Sequence, residues 1–192
     1  MTEILLKCSC GLVQGMAHDV TANSGTRVVC YCDDCQAFAR YLGNEDVILD
    51  QYGGTDIFQL TPSQVTFEQG VDHLRCVRLS EKGLYRWYTG CCKTPIGNTI
   101  SATVALVGII HNIMDDQGQG DKNLDPVRAY VQGNFAKDGL PAERYNKGFP
   151  LGLTLRVIGK ILMGKIKGKH RPSPFFKENG DPVVEPEIVA SK

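Results

Sequence analysis

The sequence predicts a mainly β protein, built of antiparallel sheets stapled by metal-binding cysteines and followed by an amphipathic helix near the C-terminus. Three observations lead there. Short alternating or β-branched segments punctuated by turn residues fill most of the first 110 positions. Seven of the eight cysteines fall into three tight groups, at 8/10, 30/32/35 and 91/92. From Leu151 onward the apolar period changes to three and four residues.

The elements follow in chain order. Residues 3–7 and 12–20 read as extended segments flanking a Cys8–Cys10 knuckle. Residues 27–31 are β-prone and run straight into Cys30, Cys32 and Cys35. Residues 33–42 (DDCQAFARYL) suit a short helix, with acids in its first turn and Gly43 at its end. Short strands are expected in VILD, IFQL and QVTFEQ between positions 46 and 69, separated by Gly53-Gly54 and Thr61-Pro62-Ser63. LRCVRL (74–79), YRWYT (85–89) and the stretch 99–111 continue the strands, and the β-branched run 104–110 suits a central one. The polar segment 115–125 reads as a linker. Leu151, Leu155, Ile158, Leu162 and Ile166 form one stripe of a helix, with Arg156, Lys160 and Lys167 on the other side. That stripe is expected to pack on the β core and leave the basic face in solvent. The expected organisation is a zinc-binding β domain at 1–113, a connector at 114–150, a basic amphipathic helix at 151–171 and a flexible tail at 172–192.

Bulk properties set the function classes aside. A chain of 192 residues has formal net charge zero, 42% hydrophobic and 22% charged residues, the balance of a globular protein without a field to recruit nucleic acid. The start, MTEILLKCSCG, reads neither as a signal peptide nor as a transit peptide, and no apolar run suits a transmembrane helix. A cytoplasmic location is therefore expected, where thiols stay reduced and clustered cysteines bind metal rather than form disulfides. C-x-C and C-C spacings also bridge poorly without strain.

Zn²⁺ is the expected ion, because it takes thiolates in a tetrahedron with bonds of about 2.3 Å. On a strand Cys30 and Cys32 share a face, and the turn into the next helix brings Cys35 back toward them. The triplet admits an open three-ligand zinc site, a closed structural site completed by a distant residue, or a metal-free redox pair. Cys8 and Cys10 need partners, and Cys91 and Cys92 are the natural completion, as in paired knuckles that staple small sheets. Adjacent residues on a strand face apart, so how Cys91 and Cys92 share that ion is open. Cys76, in an alternating strand, reads as core.

The order Cys8-Ser9-Cys10-Gly11, Cys30-Tyr31-Cys32-Asp33-Asp34-Cys35 and Arg86-Trp87-Tyr88 followed by Thr94-Pro95 resembles the glutathione-dependent formaldehyde-activating enzyme family, which includes centromere protein V-like proteins. The resemblance covers roughly residues 1–112. It implies an Mss4-like β-tent, a structural zinc on Cys8, Cys10 and the late cysteines, and a second zinc on Cys30, Cys32 and Cys35. That second ion would meet the thiol of glutathione or of its formaldehyde adduct. The branch is a divergent one: Thr89 stands where the late motif has its first cysteine, Lys93 where it has glycine, and Tyr31 where a histidine is common.

The function expected from these residues is zinc-dependent carbon–sulfur lyase-like chemistry on a thiol adduct of a small aldehyde. The catalytic residues are unknown, with His73 and His111 candidates by residue type alone. The rival is a non-catalytic zinc-stabilised module that binds a partner through the C-terminal helix. The expected partner is a small-molecule thiol, with no nucleic acid, no transmembrane segment and an unknown oligomeric state.

Overall fold

The computed structural model describes residues 2–21, 25–115, 124 and 126–189. Among these residues twelve strands form two sheets. The smaller sheet joins β1 (Thr2–Lys7), β2 (Gln14–Val20), β5 (Val65–Gln69) and β10 (Met114–Asp115) in the order β10-β1-β2-β5. The larger has a core of β3 (Thr26–Cys30), β4 (Thr55–Leu60), β9 (Val107–Ile110), β8 (Pro95–Thr99), β7 (Tyr85–Thr89) and β6 (Leu74–Arg78), paired antiparallel in that order. Two short strands, β11 (Ala129–Val131) and β12 (Glu187–Ile188), close its edges in parallel pairing with β3 and β6. The fold is therefore mainly β, with one long helix toward the C-terminus.

The large sheet is covered on both faces, and consecutive residues show it. Trp87, Cys76 and Ile109 belong to one core cluster, whereas Tyr88, Val77 and Ile110 belong to another. A period of two sends neighbours to opposite sides. The first cluster lies toward the small sheet and includes Leu6, Val13 and Val65. The second lies under α1 (Asp33–Leu42) and includes Phe38, Ala39 and Leu42. Covering both faces buries every residue of β3, β8 and β9, which is why these strands read as runs rather than alternations. The run 104–110 supplies a central strand at Val107–Ile110.

Two segments depart from the sequence reading, and a third lies mostly outside the described residues. VILD, expected as extended, is so only in its second half, where Leu49 bridges Thr55; its first half ends the short helix α2 (Glu45–Ile48), which buries Ile48 against α1. Most of the proposed linker, 116–123 and 125, lies outside the described residues. The stretch after the long helix, expected as a flexible tail, carries Phe175 and Phe176 into the core beside Trp87, with ring centroids 5.1 and 5.9 Å away. Aromatic burial of that size outweighs the fraying expected from a Pro-rich, acidic end.

The largest correction concerns α3 (Leu151–Ile166). Its apolar stripe faces solvent: Leu151 is 74% exposed, Leu155 62%, Leu162 57% and Ile166 80%. Of the basic side, Arg156 and Lys160 turn inward, while Lys167 stays exposed. Lys160 Nζ donates to the Gly25 carbonyl and to Thr26 Oγ1 at 3.2 Å, and Arg156 Nε donates to Thr26 Oγ1 at 3.4 Å. Thr26 is fully buried, so these donors meet acceptors that an inward leucine would leave unpaired. Gly164, on the same inward side, lies so close to Ala105 that a Cβ there would sit 2.8 Å from the alanine methyl. The helix docks through its polar and small residues.

This orientation makes two substitutions diverge. Leu162→Gln should change unfolding free energy by no more than about 0.5 kcal/mol, as surface substitutions do. Gly164→Val should cost about 1–3 kcal/mol through overpacking against Ala105. Urea unfolding of both variants checks this, and a larger loss for Leu162→Gln would mean that the stripe faces inward.

Candidate metal centre

The first cluster forms where two hairpins meet. Cys8 and Cys10 sit in the turn between β1 and β2, and Cys91 and Cys92 in the turn between β7 and β8. In the first turn Gly11 takes a φ of +79°, open to glycine without strain. Its N–H donates to the Cys8 carbonyl at 2.9 Å, and the Val13 N–H donates to Cys8 Sγ at 3.2 Å. In the second turn Thr89 and Thr94 close the hairpin, with Thr89 N–H donating to the Thr94 carbonyl at 2.9 Å and Lys93 at a left-handed φ of +58°. A tight turn, rather than an extended strand, lets the adjacent Cys91 and Cys92 both join the group. All four sulfurs lie within 4.8 Å of one another.

Their spacing suits a metal. Cys8–Cys10 is 3.5 Å, Cys8–Cys91 4.0 Å, Cys10–Cys91 3.4 Å and Cys91–Cys92 3.7 Å. A tetrahedron with zinc–sulfur bonds of about 2.3 Å has edges of about 3.8 Å. All eight thiols of the chain are free. Burial raises the Cys92 pKa, but hydrogen bonds from the hydroxyls of Ser9, Thr89 and Thr94 outweigh it and bring the thiol down to about 4. Cys91 moves the other way, to about 12, through burial and its contacts with Cys10 and Cys92. The group thus has four donors, one of them readily a thiolate.

The second cluster gathers Cys30 at the end of β3, Cys32 just before α1 and Cys35 in its first turn. The helix start holds them together: the N–H groups of Cys35 and Gln36 donate to the Cys32 carbonyl at 3.1 and 3.2 Å. Gln36 Nε2 ties the preceding loop by donating to the Tyr31 and Phe135 carbonyls, each at 2.8 Å. Among the described residues, no fourth Cys, His, Asp or Glu joins the three sulfurs. Hydrogen bonds from Cys30 and Cys32, aided by the nearby Arg86 charge, outweigh burial and hold the Cys35 thiol well below its ordinary value. Hydrogen bonds with Cys32 and Cys35 push Cys30 up, reinforced by burial.

Arg86 is the residue that sequence reasoning passed over. It is 1% exposed, deep in β7. One guanidinium nitrogen, Nη1, lies 4.0 Å from Cys35 Sγ and donates to Asn98 Oδ1 at 3.3 Å. The other, Nη2, meets Asp34 Oδ2 at 3.2 Å. The guanidinium also sits 5.6 Å from the Phe38 ring centroid. The available signal was a lone charge inside YRWYT, since a strand interior seldom keeps an arginine without a buried partner.

The three sulfurs open on a cavity of about 230 Å³. Its wall includes Val28, Ile57, Leu106 and Val131, and Leu84, Ile100 and Phe149 are its exposed apolar members. Arg86 and Gln59 also line it, and each keeps one buried polar atom without a partner, Nε and Oε1 respectively. Neither His73 nor His111 lines this cavity. Cys76 stands apart from both groups, buried opposite Trp87, where burial raises its thiol to about 12.

Comparison with known proteins adds a family but no activity. No curated protein matches the chain significantly. Among solved structures, the crystal structure of a Rhodobacter sphaeroides protein, a Northeast Structural Genomics target, is similar at a TM-score of 0.41 and 14% identity, covering 62% of this chain and 94% of that one. The family described as "Family of unknown function (DUF6151)" matches residues 1–187, and the chain belongs to it.

Proposed function

We propose that Cys8, Cys10, Cys91 and Cys92 hold a structural zinc ion, and that Cys30, Cys32 and Cys35 hold a second one whose remaining position admits a small thiol ligand. The observation that carries the second site is the three-sulfur group, joined by no fourth protein ligand among the described residues, open to a cavity that Arg86 also lines. A closed structural site would carry a fourth protein ligand and would not call for a cavity.

The reaction proposed is carbon–sulfur bond chemistry on the thiol adduct of a small aldehyde. Zinc, when bound, supplies a Lewis acid that lowers the pKa of the ligand's sulfur and holds it as thiolate. In the breakdown direction the carbon–sulfur bond breaks and sulfur keeps the electron pair. The adduct's hydroxyl passes its proton to solvent water as the carbonyl forms. Arg86 sets a fixed positive charge beside the sulfur group. A cavity of about 230 Å³ takes the sulfur end of a ligand, smaller than the usual range for drug-sized ligands. The motif order resembling the glutathione-dependent formaldehyde-activating enzymes supports a glutathione-type thiol. In that comparison Thr89, at the lost cysteine position, keeps contact with the group through Cys92 Sγ at 3.3 Å.

Metal analysis tests the two sites separately. The Cys30/Cys32/Cys35→Ser triple variant should lose about one zinc per chain and stay folded, since metal enters each group independently. Equal zinc in variant and wild type would refute the central site. Cys10→Ser should lower the melting temperature far more than Cys76→Ser, because zinc bound only by the folded chain is folding free energy. Comparable losses would remove the structural site.

Ligand binding tests the open position. Glutathione or its formaldehyde adduct should bind the zinc-loaded protein at millimolar concentration or below, about −4 kcal/mol or better, and the triple variant should not bind. Arg86→Gln should weaken zinc at the central site about 10–100-fold, the usual effect of losing a residue that supports the ligands. Competition with a chelating dye measures it, and unchanged affinity would assign Arg86 to packing alone.

A further inference from the structure

The outward face of α3 has no role in either cysteine group, and it gathers six of the exposed large apolar side chains. Leu151, Leu155, Ile158, Leu162 and Ile166 align along one side of the helix, with Met163 beside them, and all are about half exposed or more. A monomer seldom leaves so many large apolar side chains contiguous in water.

Within α3 and the segment after it the charges are of one sign, although Asp19 and Glu143 from elsewhere in the fold line cavities beside the helix. Lys165, Lys167, Lys169 and Arg171 are exposed at its C-terminal end, and no Asp or Glu occurs between Glu143 and Glu178. The chain as a whole has formal net charge zero, so this basic end is a local asymmetry. The surface is the convex side of a rod, not a groove that a peptide would fill. A rod of 16 residues is about 24 Å long, shorter than the roughly 30 Å hydrocarbon layer. Among the described residues no helix is long and apolar enough to cross a membrane.

We propose that α3 docks flat on a lipid bilayer carrying anionic phospholipid. The stripe enters the headgroup boundary, and Lys165, Lys167, Lys169 and Arg171 meet the lipid phosphates and carboxylates. This combination of an apolar face and flanking cations is what holds an interfacial helix in place. The inward contacts of Arg156, Lys160 and Gly164 keep the stripe outward, so docking needs no refolding. The proposal is independent of what the cysteines hold.

Vesicle sedimentation with the purified full chain tests it. The probes are vesicles of pure phosphatidylcholine and vesicles with about 30% phosphatidylserine. The chain should bind the anionic vesicles at least tenfold more tightly, and high salt should weaken that binding. The double variant Leu155→Glu/Leu162→Glu should lose at least tenfold. Replacing Lys165, Lys167 and Lys169 by Gln should remove the preference for anionic lipid, at roughly fivefold per lysine. Ile158→Trp gives a readout that needs no loss of binding: its emission should shift blue with anionic vesicles while buried Trp87 stays unchanged. No sedimentation, no blue shift, or equal binding by the Glu variant would overturn the proposal. So would a dimer that the Glu variant dissociates while vesicles go unbound.

Discussion

The four-sulfur group of Cys8, Cys10, Cys91 and Cys92 is the constraint on which the rest of the structure depends. It joins the β1–β2 turn of the small sheet to the β7–β8 turn of the large one, where loops would otherwise bury backbone groups with little apolar area to offset them. Fixing β7 fixes Arg86, three residues before the strand ends at Thr89. Arg86 in turn sets a buried positive charge beside Cys35 and ties Asp34 and Asn98 to it. The two cysteine groups are therefore linked through one strand, although their sulfurs form separate clusters.

The two groups differ in chemistry as well as in number. The first surrounds its centre with four sulfurs and takes hydroxyl hydrogen bonds from Ser9, Thr89 and Thr94 on Cys92. The second offers three sulfurs, a neighbouring guanidinium and a cavity. Four thiolates carry more negative charge than one zinc ion can cancel, and hydroxyl and backbone N–H donors spread the excess. Three thiolates leave the ion's field available to a further ligand, and a buried arginine strengthens that field in a site with few competing waters.

Much of this was legible because it is local. The spacing of Cys30, Cys32 and Cys35 dictates convergence once a strand runs into a helix, and the acids at 33 and 34 mark where that helix begins. The pairing of the 8/10 and 91/92 groups followed from ligand number. The orientation of α3 was not legible, because a periodic stripe identifies a face without saying what faces it. Lys160 and Arg156 are ordinary solvated cations by sequence, and only the buried Thr26 and the Gly25 carbonyl make them inward anchors. Phe175 and Phe176 were hidden for a similar reason: two aromatic residues in a Pro-rich segment carry no periodicity, yet they complete the cluster around Trp87. Arg86 was quoted as part of a motif, but its burial depends on Asp34 and Asn98, which lie 52 and 12 positions away.

X-ray absorption at the zinc edge tests the distinction between a closed and an open site most directly. With both sites filled, four sulfurs at one and three at the other should average about 3.5 sulfurs per ion, with the remainder light oxygen or nitrogen donors. Adding a thiol ligand should raise the average to about 4 and remove the light-atom shell. An average of 4 in the absence of added thiol, unchanged when it is supplied, would contradict an open triad of Cys30, Cys32 and Cys35.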